Sequence, residues 1–248
     1  MRAATVSSHG GPLDDISVVD GYARPTLRLG KGEMVVHVLP CALAPGDVRV
    51  WSGACAMLQS PGHFPYCPGG DVAGVVEEVE PGGLFKAGDI VKHSVLKPPS
   101  VSAVDGAAIA SSKLAAYTVA RMLRAGDRVL VLGGAGGVGS TLIQLASKAG
   151  PSFLAATTTQ VELVKSLGAE LSIDYRLENW AVKSTSKGGR WVTLHLEATA
   201  FALARGDFRV VFDAASPLPF TTEGVRRAFH VQRSRHAHGK VVVLIALA

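Results

Sequence analysis

Residues 127–149 read DRVLVLGGAGGVGSTLIQLASKA. Asp127 introduces Arg128 to Leu132, an apolar run of the kind found in a strand buried on both faces. A glycine-rich turn follows, and then Val138 to Ala149, apolar at Val138, Leu142, Leu145 and Ala149, which is a helical spacing. Within the turn Gly134, Gly136 and Gly139 satisfy G-x-G-x-x-G, after a strand and at the opening of a helix. Glycine there lets the chain turn tightly and brings its amides close to an anion with no Cβ in the way. Free amides and the helix dipole favour a pyrophosphate, so Gly134, Gly136, Gly137, Val138 and Gly139 are candidate dinucleotide-binding residues.

The segments downstream extend the pattern. Phe153–Ala156 reads as a second apolar strand, Val161–Leu167 as a helix and Leu171–Asp174 as a third strand. Strand and helix alternating in this way predict a parallel sheet with right-handed crossovers, an α/β fold of Rossmann type. An NAD site places an Asp or Glu near the end of the second strand to hold the ribose hydroxyls. Here that place reads Ala155-Ala156-Thr157-Thr158-Thr159-Gln160, with no carboxylate. The small hydroxyls of Thr157 and Thr158 leave room for a 2′-phosphate. Tyr175 and Arg176, after the third strand, supply a hydroxyl and a positive charge, although Tyr175 also suits a half-buried aromatic at a strand end. The expected cofactor is NADPH.

Upstream the character differs. Glycine and proline break the first ninety residues into short strands, among them Met34–Leu39, Asp47–Trp51 and Val72–Val79, as in a small barrel-like unit. Ser102–Arg124 is alanine-rich and suits two helices, capped by Ser102 and Ser111.

Composition excludes several classes. In 248 residues, 48% are hydrophobic and 18% charged, an ordinary globular balance rather than that of a disordered chain. The longest apolar run, Val241–Ala248, is far shorter than the ~20 residues of a membrane span. The N-terminal MRAATVSSHGGPLDD carries no secretory pattern, and Asp14 and Asp15 argue against a transit peptide. Cys41, Cys55 and Cys67 form no CxxC pair, so no disulfide framework or four-cysteine zinc lobe is expected, and a reducing cytoplasm is the simplest setting. Net charge is +5. No acidic residue follows Glu223, while Arg226, Arg227, Arg233, Arg235 and Lys240 do. This basic segment reads as a solvated helix face before a final strand, with nucleic-acid binding the less favoured alternative.

Other chemistries lack their residues. Gly139 is followed by Ser140 and Thr141 with no P-loop lysine. Tyr117 is followed four positions on by Arg121, not the lysine of short-chain reductases. No HExxH occurs, and His236 and His238 have no third ligand nearby, so no metal is expected.

As a set, the chain resembles the medium-chain dehydrogenase/reductase superfamily, in its zinc-independent quinone-oxidoreductase branch. The matching pieces are Pro45-Gly46-Asp47, the stretch Phe64 to Val76 (FPYCPGGDVAGVV), and Phe85-Lys86-Ala87-Gly88-Asp89. They continue through the glycine loop, Leu167-Gly168-Ala169 and Ile173-Asp174-Tyr175-Arg176 to Gly239-Lys240-Val241-Val242.

The resemblance implies a GroES-like β-barrel domain at 1–120, completed by 207–248, beside a shortened Rossmann domain at 121–206, with the active site between them. Ala44, Pro45 and Gly70 stand where zinc-using members carry metal ligands. The implied reaction is hydride transfer from NADPH to a small-molecule quinone or α,β-unsaturated carbonyl, which needs positioning more than a metal. Ala44 and Ala115 replace an asparagine and a threonine common in zinc-free members, so no catalytic acid or base is assigned. Asp47 and Asp71 flank the expected cleft, with turn or strand-end hydrogen bonding as their expected roles. Stretches also look deleted after Asp89-Ile90-Val91, after Asn179-Trp180 and after Val192-Thr193-Leu194. Lost strands would expose an edge that a second copy could cover, making a homo-oligomer conceivable. The alternative implied function is a catalytically degenerate relative that binds NADPH or a protein partner without turnover.

Overall fold

A computed structural model describes residues 1–54, 63–92, 95–179 and 209–246. The expected deletions after Asn179-Trp180 and after Val192-Thr193-Leu194 and the boundary at 206/207 lie outside the described residues.

The parallel sheet is present as read. β7 (Arg128–Val131), β8 (Phe153–Thr157) and β9 (Leu171–Ile173) pair in parallel in the order β7-β8-β9. α3 (Gly139–Lys148) and α4 (Val161–Ser166) form the crossovers. Both helices pack on the face that carries Val129, Val131, Leu154 and Ala156, through Ile143, Ala146 and Val164. Burial on both faces does not hold: Leu130, on the opposite face, is only half-buried, and Leu132 beyond the strand is exposed. The alternation of side chains along a strand explains this, since the two crossover helices cover one face.

The glycine- and proline-rich part builds a mixed six-stranded sheet in the order β10-β11-β3-β4-β5-β6. Its long central strands are β3 (Met34–Leu43) and β4 (Asp71–Val79), flanked by β5 (Ile90–Lys92), β6 (Val95–Leu96), β10 (Leu218–Pro219) and β11 (Val241–Leu244). β11 pairs antiparallel with β3, so the C-terminal segment completes the N-terminal sheet. A two-stranded ribbon, β1 (Ala3–Val6) with β2 (Ile16–Val19), bridges through Val6 to Tyr66, ahead of β4. α5 (Thr222–Ser234) closes this core, burying Val225, Ala228 and Phe229 against Val6, Ile16, Leu43 and Trp51. Among the described residues, the Asp89–Pro99 stretch contributes the short β5 and β6, and Ile90, Val95 and Leu96 are exposed on that edge.

Three expectations change. Asp47–Trp51 is not a strand but part of the helix α1 (Pro45–Trp51). Pro45 pre-sets the helical φ at the first position, and the Asp47 carboxylate accepts the Ala44 N–H at 2.7 Å, which fastens the first turn. Ser102–Arg124 is one helix, α2 (Ala103–Ala120), not two. Ser102 caps it by accepting the Asp105 N–H, but Ser111 lies mid-helix and turns its hydroxyl to Asp71. The basic segment is not wholly a solvated face. Arg226 bonds the Ile16 and Asp14 carbonyls and pairs with the Asp14 carboxylate, and Lys240 is buried.

α2 packs on β3, β4 and β11 on one side and on α3 on the other, so it connects the two sheets.

Candidate functional site

The site is built where β7 ends and α3 begins. Gly133 takes φ +68°, the left-handed region that glycine adopts without a Cβ penalty. Its N–H donates to the Thr157 hydroxyl at 2.9 Å, and the Gly134 N–H donates to the Thr157 carbonyl at 2.8 Å. The end of β8 thus holds the start of the loop. A Cβ on Gly134 would stand 2.8 Å from that of Ala156, and one on Gly139 would overlap the Gly133 carbonyl oxygen. These two glycines permit close packing, whereas Gly136 and Gly137 face looser surroundings.

The carbonyls in the second half of the loop are all taken. The Gly136 carbonyl accepts the Ser140 N–H at 3.0 Å, the Gly137 carbonyl accepts Lys113 Nζ at 2.7 Å, and the Val138 carbonyl accepts the Leu142 N–H at 3.0 Å. The Gly137 N–H faces the Gly239 carbonyl across the bridge between Gly136 and Gly239, and among the described residues the N–H groups of Val138 and Gly139 meet no protein acceptor. The side-chain oxygens of Ser112, Ser140 and Thr141 are buried beside the loop, also without a partner. Unpaired donors at a helix N-terminus, with no side chain at Gly136 or Gly137, suit an anionic pyrophosphate.

The other sequence-derived residues are placed as follows. Thr157 and Thr158 are buried, and each hydroxyl already serves the backbone, Thr157 at Gly133 and Thr158 at the Gln160 N–H (2.7 Å). Tyr175 is 51% exposed, so it is not the half-buried aromatic of the alternative reading. Arg176 is bonded to Asp174 at 2.9 and 2.5 Å, and this pairing holds the Asp174 carboxyl down at about 2. The end of β8 offers no carboxylate, as the sequence indicated.

A third segment reaches the loop. Gly239 donates its N–H to the Ala135 carbonyl at 3.0 Å and bridges to Gly136, while Lys240 and Asp213 exchange backbone bonds with Val211 and Lys240. Gln144 on α3 bonds both backbone polar groups of Arg209. The chain therefore returns to the six-stranded sheet along the rim of the loop.

Beside this junction lies a buried polar network that sequence reading missed. Lys240 Nζ meets Asp71 Oδ2 at 2.6 Å, and the Ser111 hydroxyl donates to the same oxygen at 2.6 Å. Lys113, fully buried, faces the Gly137 carbonyl, and burial together with the nearby Lys240 pulls its ammonium down to about 7. A lone lysine in the otherwise uncharged run Ala107–Ala120 was the available signal. Asp47 is a structural group: its carboxylate accepts the Ala44 and Gly69 N–H bonds, and burial pushes it above the usual range. Burial drives the Cys41 thiol up to about 12, which makes it inert at neutral pH. No group of three or more metal-ligating side chains occurs among the described residues. A separate hollow of about 630 Å³ opens in the β-rich part, lined by Cys41, Leu43, Val72, Phe229 and Val243, away from the glycine loop.

Comparison with known proteins agrees with this arrangement. The alcohol dehydrogenase GroES-like domain matches residues 30–142. The NADPH-dependent alkenal/one oxidoreductase of Arabidopsis thaliana chloroplasts is 31% identical over 315 aligned residues, covering 98% of this chain and 79% of that protein. The 2-methylene-furan-3-one reductase of Solanum lycopersicum is 30% identical, with the same coverages of 98% and 79%. The first alignment is longer than this whole chain, so that relative carries stretches with no counterpart here. Among solved structures, the quinone oxidoreductase from Coxiella burnetii superposes with a TM-score of 0.81 at 19% identity, covering 99% of each chain. A mycobacterial protein complexed with NADPH gives 0.76 at 20% identity, covering 99% of this chain and 100% of that one.

Proposed function

The chain belongs to the quinone-oxidoreductase branch of the medium-chain dehydrogenase/reductase superfamily, and on that premise we propose that it is an NADPH-dependent oxidoreductase acting on a quinone or an α,β-unsaturated carbonyl. The observation that carries this proposal is the pair of unpaired amides at Val138 and Gly139, at the C-terminal edge of a parallel sheet. The names of the alkenal/one and furanone reductases support the acceptor class.

In this proposal the Val138 and Gly139 amides hold the pyrophosphate, Gly136 and Gly137 let it approach without a Cβ, and Gly134, whose N–H is taken by the Thr157 carbonyl, lets the loop pack on β8. Thr157 shapes the loop by holding Gly133, and Thr158 and Tyr175 border the adenosine phosphate at the ends of β8 and β9. The missing carboxylate after β8 favours NADPH over NADH, because an acid there would repel a 2′-phosphate. NADPH supplies the hydride. Among the described residues, the chain contributes orientation through the junction of α2, the glycine loop and Gly239. The division into 1–120 with 207–248 and 121–206 belongs to the same proposal, supported by β11 completing the N-terminal sheet. A cytoplasmic setting is supported by the free thiols of Cys41 and Cys67, and no described helix is long and apolar enough to cross a membrane.

Binding without turnover is the second reading. It is favoured by the stretches of the relatives that this chain lacks and by the commitment of Asp47, Asp71 and Lys240 to structural bonds. One paired experiment separates the two: thermal unfolding with NADPH or NADH, and NADPH oxidation with a small quinone and a small enone. A ligand bound only by the folded state at a hundredfold excess over its Kd adds about 2.7 kcal/mol of stability. A larger shift with NADPH than NADH, with turnover above the enzyme-free rate, supports the enzyme. A shift without turnover supports the second reading, and no shift with either nucleotide overturns the enzyme and nucleotide binding alike.

A further inference from the structure

The peptide units of the glycine loop explain how its amides become available. A trans peptide is planar, with its C=O and N–H pointing in opposite directions. Anchoring a carbonyl therefore aims the next residue's N–H the other way. The Gly136, Gly137 and Val138 carbonyls are each anchored; the Gly137 N–H is thereby aimed at the Gly239 carbonyl, and the N–H groups of Val138 and Gly139 are turned outward. Two of the three anchors are backbone amides of α3, from Ser140 and Leu142. The third is Lys113 Nζ, the only anchor that is a side chain and the only one that can gain or lose a proton. Lys113 comes from α2, outside the loop and outside the motif, and it is fully buried.

We propose that Lys113 is a cofactor-positioning residue, holding the Gly137–Val138 peptide in its anion-binding orientation and taking up a proton when a pyrophosphate settles on the loop. This rests on the nucleotide reading above. The Lys113 amine donates to the Gly137 carbonyl in either protonation state, so the loop keeps its shape without ligand. An anion on the outward amides favours the charged form of a nearby buried amine, because the local dielectric screens the pair less than water does.

The charged and titratable groups on the elements packed against α2 are consistent with a lysine that is neutral in part. β11 is entered through Lys240, β4 carries Asp71 and, further along, Glu77 and Glu78, β5 carries Lys92, β3 carries His37 and Cys41, and α3 ends in Lys148. Asp105 and Tyr117 lie on α2 itself. Of all these, Lys240 is the one that acts on Lys113, and it disfavours the charge; the Asp71 carboxylate is bonded to Lys240 and Ser111. With its ammonium held at about 7, Lys113 is poised to respond at neutral pH.

The test is isothermal titration calorimetry of NADPH into the purified full chain at pH 7.5, in two phosphate-free buffers of different ionisation heat. The wild type should take up a fraction of a proton, and its affinity should fall about tenfold between pH 6.5 and pH 9, the change expected where binding raises the lysine's pKa by about one. Lys113→Met should bind more weakly at pH 6.5 and lose that uptake, which separates the lysine's proton from any taken by the nucleotide's own phosphate. Lys113→Arg, charged throughout, should lose the uptake while keeping its affinity at high pH. If Lys113→Met does not fold, the wild-type proton count and Lys113→Arg decide. Wild-type binding with no proton uptake, or the same uptake in the variants, overturns the role of Lys113 and leaves the nucleotide site standing. No binding by the wild type at any pH overturns the nucleotide site and this inference with it.

Discussion

Replacing Lys113 with methionine removes a buried amine while keeping most of the side-chain volume, and its effect on stability should depend on pH in a calculable way. A lysine near 10.5 in the unfolded chain is held at about 7 in the folded one, by burial first and by Lys240 second. The unfolded state therefore binds more protons between these values, and the wild type gains stability as pH rises through that window. At about 1.36 kcal/mol per pKa unit, the lysine costs the folded state about 5 kcal/mol at pH 6 and about 2 kcal/mol at pH 9. Methionine abolishes that cost but leaves the Gly137 carbonyl without its donor, a pH-independent loss of about 1–3 kcal/mol. Lys113→Met should thus be more stable than the wild type at pH 6 by roughly 2–4 kcal/mol and nearly equal to it at pH 9. Urea denaturation of both proteins without nucleotide, followed by far-ultraviolet circular dichroism, measures the difference, and the other titrating groups cancel. A difference constant to within about 0.5 kcal/mol across this range would refute the reasoning, since it would mean that Lys113 titrates alike in both states.

Two further substitutions probe the junction and the loop. Asp71→Asn should destabilise by about 3–5 kcal/mol, because Lys240 would remain buried without its carboxylate, and the double variant Asp71→Asn/Lys240→Met should recover much of the loss in the same denaturation assay. Gly139→Ala should lower stability by a few kcal/mol and abolish the NADPH-dependent thermal shift, since its Cβ would overlap the Gly133 carbonyl; Gly136→Ala, whose nearest neighbour would be at 3.3 Å, should cost less than about 1 kcal/mol.

The relatives' longer sequences bear on how the chain is held together. β5 and β6 are all that the described residues show between Asp89 and Pro99, and the six-stranded sheet ends there on Ile90, Val95 and Leu96. The C-terminal segment supplies cohesion instead: Gly239 bonds the glycine loop, Lys240 joins β4 through Asp71, and β11 pairs with β3. A single stretch of chain thereby ties together both sheets and the α2 helix between them.

The sequence by itself determined the parallel sheet, its crossover helices and the loop residues, because these are local signals. The β7 run, the glycine spacing and the apolar positions of α3 are each written within a few residues, and backbone sterics read them almost without context. The Ser102 cap and the carboxylate-free end of β8 were legible for the same reason. The α1 helix was mistaken for a strand although Pro45 and Asp47 marked its start, since a short apolar run alone does not distinguish the two. What only the tertiary structure decided is which polar groups meet. Ser111 looked like a cap until Asp71, forty positions away, came to face it, and Lys240 looked solvated until β11 carried it inward. Lys113 became a loop anchor only when α2 packed against α3. A buried charge or hydroxyl is tolerated only where its partner arrives, and the partner's arrival depends on how distant elements pack, which no local pattern of residues encodes.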